Sequence, residues 1–142
     1  MSIDYILLSK KIELLKGYLT ELKDIIAFEE KEILNDSLKY HSTERLFQLV
    51  VDIMIDINIH LIRELGNKAP DDLTSTFIAL SEIEILDKDF AQKIKGIAGL
   101  RNMVVHRYEK LDKSTFIKIL KTNFSDFEKY LGIVITLVTK SG

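Results

Sequence analysis

The run from Asp36 to Leu65 contains neither proline nor glycine, and its apolar residues recur every three or four positions. Leu46, Val50, Ile53, Ile57, Leu61 and Leu65 form one stripe, widened by Leu49, Met54 and Ile62. That period is the mark of an amphipathic helix. A start at Asp36-Ser37 makes it about 30 residues long, well beyond the usual globular helix. Gly66-Asn67 stops it, and Pro70 keeps it from resuming. An apolar stripe of this length needs other helices to cover it. The rest of the chain offers them, because 142 residues carry only one proline and six glycines.

Before this helix, Ile3, Ile6, Leu7, Leu14, Tyr18, Leu22, Ile25 and Ile26 suggest one face of a helix over residues 3–26, with Ser2 as its cap. Gly17 falls mid-pattern and calls for a close helix neighbour or a local bend. Residues 29–36 are polar and read as a short helix or bend. After Pro70, a loop over residues 71–76 leads into a short helix carrying Phe77, Leu80 and Ile83. Asp87 then caps a helix containing Phe90, Ile94, Ile97, Ala98, Leu100, Val104 and Val105. Its Gly96 and Gly99 either admit another backbone or are ordinary helix defects. A restart at residues 112–114 opens a last helix through Phe116, Ile119, Leu120, Phe124, Phe127, Leu131, Val134, Ile135 and Val138. The expected fold is all-α: an antiparallel, up-and-down four-helix bundle with one or two additional short helices, forming a single domain over residues 1–142.

Composition narrows the function classes. The chain is 46% hydrophobic and 30% charged, which suits a globular core and not a disordered chain. Its formal net charge of −2 gives no global pull toward nucleic acid. It has no cysteine, so disulfides and thiolate metal sites are excluded. No apolar run is long enough to span a membrane, and Asp4 stands where a signal peptide would be basic. The expected location is cytoplasmic.

Charge is nevertheless unevenly spread. Residues 93–113 hold six cations, Lys93, Lys95, Arg101, Arg107, Lys110 and Lys113, against Glu109 and Asp112. Such a segment can contact phosphate; basic residues also gather at helix C-termini because of the helix dipole. Within it, Asn102 and His106 are four apart and share a helix face, and Arg101 lies beside Asn102. Arginine matches phosphate geometry and stays charged, while histidine can move a proton near neutral pH. Together they could cleave a phosphodiester that has a neighbouring 2′-hydroxyl, without a metal. On the long helix, Asp52, Asp56 and His60 stand in one line. They read either as a solvated flank or as groups that orient the Arg101–His106 stretch. Their spacing would also suit a metal, but nothing else in the sequence completes a ligand set.

The stretch Arg101-Asn102-x-x-x-His106-x-Tyr108 resembles the Arg-x4-His-x-Tyr motif of the HEPN superfamily, and more narrowly the HepT-like toxins paired with minimal nucleotidyltransferase (MNT) antitoxins. The segment from Glu44 to His60 is similar to that family's second helix, and the resemblance covers almost the whole chain. It implies a metal-independent endoribonuclease with no cofactor, acting on RNA as a homodimer whose two motifs share a cleft. It carries Arg101 and His106 over as catalytic, with Asn102 as polar support. It implies an MNT partner that transfers AMP to Tyr108 and silences the toxin. Two alternatives use the same residues: a HEPN-type module that binds nucleotide or RNA without cutting, and a helical interaction protein in which Arg101 and His106 merely finish a helix.

Overall fold

A computed structural model describes residues 5–106 and 112–141. These fold into six α-helices: α1 (Tyr5–Ile26), α2 (Glu30–Asn35), α3 (Ser37–Glu64), α4 (Thr76–Glu82), α5 (Lys88–His106) and α6 (Lys113–Ser141), with a 3-10 turn at Leu73–Ser75 before α4. Among the described residues there is no strand.

The starts and stops follow local chemistry. Asp36 caps α3, its carboxylate accepting from the Leu38 and Lys39 amides at 3.0 and 3.2 Å. Lys39 Nζ reaches the same side chain at 3.0 Å, and this bond is the main reason the Asp36 carboxyl titrates below the ordinary aspartate value. Asp87 likewise accepts from the Asp89 and Phe90 amides, and Asp112 from the Thr115 amide. Gly66 ends α3 at a φ of 82°. There its amide bonds to the Arg63 carbonyl and the Asn67 amide to that of Ile62, the paired bonds of a Schellman ending.

Cross-helix contacts set the topology. Lys11 pairs with Asp56 at 3.1 Å, while residues 21–25 face residues 41–46 across a groove, so α1 and α3 run antiparallel. Lys23 meets Glu128, and Ile12 shares a cleft with Ile135 and Val138, so α1 and α6 are antiparallel too. Lys93 pairs with Asp126 and Lys129 sits over the Phe90 ring, which sets α5 against α6. The four long helices therefore alternate in direction, with α2 and α4 as short additions.

The core is one cluster centred on Leu8, Leu15, Phe47, Met54, Phe116 and Phe127. In α1 Leu22 and Ile26 are buried as expected from sequence, but the earlier part of the buried face differs from the expected stripe. Leu8, Ile12, Leu15 and Leu19 point inward, whereas Ile6 is 75% and Leu14 49% exposed. Two apolar rows lie side by side on this helix, and packing against α3 and α6 selects one of them. Gly17 has no neighbour within 4 Å of where its Cβ would stand, and the same is true of Gly96 and Gly99. Among the described residues no close helix approach accounts for these glycines.

A buried polar chain ties the elements to one another. The Tyr130 hydroxyl on α6 lies 2.6 Å from Asn58 Oδ1 and 3.1 Å from the Met54 carbonyl on α3. Asn58 Nδ2 donates to Thr76 Oγ1 at 3.0 Å, and Thr76 Oγ1 donates to the Leu73 carbonyl at 2.6 Å. The chain thus runs from α6 through α3 to the 3-10 turn, fixing the turn against the bundle.

Candidate functional site

Arg101 lies in the last two turns of α5, opposite Asp52 in the middle of α3. Arg101 Nε donates to Asp52 Oδ1 at 2.6 Å and Nη2 to Oδ2 at 3.2 Å. This two-point fork fixes the plane of the guanidinium. It occupies one edge and, among the described residues, leaves Nη1 unengaged. The pair is partly open to solvent, with side chains 31% and 46% exposed, so an incoming anion can reach it.

The other two members of the α3 line are turned elsewhere. Asp56 is engaged by Lys11 of α1. The largely buried His60 side chain has Nε2 3.8 Å from Glu64 Oε1, and among the described residues that nitrogen has no hydrogen-bond partner. Successive turns of α3 therefore serve α5, α1 and α3 itself, and among the described residues Asp52 is the member of the line that pairs with Arg101. Asn102 is exposed beside Arg101. His106 is the last residue of α5, four positions after Asn102 along the same helix. Tyr108, with the rest of residues 107–111, lies outside the described residues.

Beside Arg101 and Asn102 opens a pocket of about 200 Å³. Asp52 and Ile55 of α3 form one wall, and residues 71–74 form the other. In the sequence, residues 71–76 read as a plain loop. The hint available there was an Asp-Asp pair directly after Pro70, at the point where the chain turns back. Asp72 is fully committed to shaping this wall. It accepts from Ser75 Oγ at 2.7 Å, from Thr74 Oγ1 at 3.2 Å and from the Thr74 amide at 3.3 Å. The Ser75 bond leads in holding its carboxyl below the ordinary aspartate value, with a smaller pull from Lys95. Asp71 is exposed and, among the described residues, its carboxylate has no partner. Among the described residues, no group of three His, Asp or Glu side chains gathers as a metal-holding set, and no helix is long and apolar enough to cross a membrane.

An all-helical bundle with an acid-oriented arginine at the end of its fifth helix defines the class, and comparison with known proteins defines the family. Residues 15–134 match the ribonuclease HepT-like family, and the chain belongs to it. It is 28% identical over 130 residues to a tRNA nuclease HepT of Aphanizomenon flos-aquae, covering 92% of this chain and 88% of that one. It is 22% identical over 125 residues to an mRNA nuclease HepT of Shewanella oneidensis, covering 88% and 86%. Its fold superposes on a tri-AMPylated Shewanella oneidensis HEPN toxin in complex with MNT antitoxin, with a TM-score of 0.81 at 22% identity, covering 96% of this chain and 99% of that one.

Proposed function

We propose that this chain is a metal-independent endoribonuclease and the toxin half of a toxin–antitoxin pair. The observation that supports this most is the Asp52–Arg101 fork, which presents an oriented guanidinium at the motif in a chain of the HepT-like family. In this reading the RNA 2′-hydroxyl oxygen attacks the adjacent phosphorus. The P–O2′ bond forms, the P–O5′ bond breaks, and the departing O5′ takes up a proton. His106 handles the proton from the 2′-hydroxyl, a role worth about 10² to 10⁴-fold. Arg101 stabilises the charge of the phosphorane, worth about 10² to 10³-fold. Asn102 gives the motif polar support, and two motifs meet in a homodimer cleft.

Control is assigned to an MNT-type antitoxin that transfers AMP to the Tyr108 hydroxyl. An adenylyl group adds bulk and a negative phosphodiester beside the cationic motif, which would repel RNA. The tri-AMPylated state of the Shewanella oneidensis toxin supports this reading.

The experiment is cleavage of single-stranded RNA by purified protein in EDTA. Wild type is expected to cut, and Arg101→Ala and His106→Ala to abolish cutting while helical circular dichroism persists. Cutting that survives both substitutions would overturn the assignment. RNA binding without turnover in wild type would favour a binding module instead. Tyr108→Phe is expected to stay active and to resist silencing by the antitoxin and ATP.

A further inference from the structure

We infer that the pocket between α3 and residues 71–74 is a nucleobase subsite that selects guanine next to the cleaved phosphate, with Asp71 as its specificity-determining residue. The inference rests on the ribonuclease reading for its substrate class, but its observations are separate. The pocket holds about 200 Å³ and adjoins Arg101, so a base seated in it belongs to a nucleotide whose phosphate lies at the guanidinium. Ile55 and Leu73 give it apolar surface, which suits the face of an aromatic ring.

Two polar side chains on the pocket have no partner among the described residues: the Asp71 carboxylate and the Asn102 amide. The other carboxylates there are already occupied, Asp52 by Arg101 and Asp72 by Thr74 and Ser75. An ionised carboxylate is an acceptor only and can take two parallel N–H bonds. Guanine alone among the RNA bases offers two adjacent donors on one edge, N1–H and N2–H. The Asn102 amide can in turn donate to guanine O6. Uracil offers only one N–H, and adenine and cytosine pair one amino group with an acceptor nitrogen that a carboxylate repels. Asp71 is free to do this because Asp72, not Asp71, holds the turn together.

The test uses full-length protein and single-stranded oligodeoxynucleotides, which lack the 2′-hydroxyl and cannot be cut through it. Each is a run of deoxyuridine with one central base replaced by A, C, G or none. Fluorescence anisotropy is expected to show the guanine-containing strand binding about ten-fold more tightly, in line with other bidentate base contacts. Asp71→Asn is expected to erase that preference and leave affinity for the uniform strand within about two-fold, because Arg101 still holds phosphate. Helical circular dichroism should be unchanged. Equal binding of the four strands, no binding, or a preference that survives Asp71→Asn overturns the inference. So does an Asp71→Asn variant that keeps the base preference but loses antitoxin binding, which would make the pocket a protein contact. A guanine preference in a protein that cuts no RNA would sink the ribonuclease reading and leave the subsite standing.

Discussion

Individual side chains in this protein do two different kinds of work, and mutation separates them. Asp52 fixes the direction of Arg101, yet both partners are partly solvated, so their net contribution to stability is below about 1 kcal/mol. Asp52→Asn should therefore leave the unfolding midpoint nearly unchanged. On the ribonuclease reading it lowers kcat about ten- to a hundred-fold, because misplacing a reacting group is costly, with KM moving less. A kcat equal to wild type would show that the fork is ornamental. Tyr130 is the opposite case, being fully buried. Tyr130→Phe strips the buried Asn58 Oδ1 of its donor and should cost about 1–3 kcal/mol in urea unfolding. The same residue type sets an alkaline limit. Burial raises the Tyr130 phenol well above 10. Burial, followed by the Glu44 and Asp112 charges, pushes Tyr40 up to about 12. A raised folded pKa favours the neutral phenol in the fold, so this stability is whole below the unfolded value near 10 and is lost as pH rises toward 12. Unfolding midpoints measured from pH 8 to 12 should be flat at first and then fall above about 10.

At the scale of elements, caps explain most boundaries, and one exception is instructive. The α4 helix ends as α3 does: the Glu84 amide bonds to the Ser81 carbonyl and the Ile85 amide to that of Leu80. The residue in the left-handed position is Gly66 after α3 but Glu84 after α4, at a φ of 65°. A side chain there is disfavoured by about 1–2 kcal/mol, part of which glycine returns through its freer unfolded state. Glu84→Gly should consequently raise stability by about 0.5–1 kcal/mol, read as a higher denaturant midpoint at unchanged slope; a lower midpoint would refute the account. This also shows why the α4–α5 turn is faint in the sequence, since neither glycine nor proline marks it. The α1 register was obscured for a different reason. Leu7 and Leu8, and Leu14 and Leu15, are adjacent pairs, so periodicity permits either row, and only contact with α3 and α6 decides between them.

For the whole molecule, the ribonuclease reading needs two motifs in one cleft, and closed two-fold pairs are the commonest assembly. Gly96 and Gly99 on α5 have open space where side chains would be, as does a surface that a second chain could cover. Light scattering at micromolar concentration is expected to return twice the chain mass of 16.4 kDa. A monomer mass would count against a shared cleft. Legible in the sequence alone are the four long helices, their starts near Asp36, Asp87 and Asp112, the all-helical class and the Arg101–His106 stretch, because these depend on spacings within one turn or on contacts a few residues apart. Packing alone sets which row of α1 is buried, which member of the Asp52–Asp56–His60 line meets Arg101, and that residues 71–74 wall a pocket beside it. Those outcomes depend on how helices 49 residues apart in the chain are rotated and stacked, as with Asp52 and Arg101. Periodicity fixes a face for each helix, but only packing fixes which neighbour that face meets.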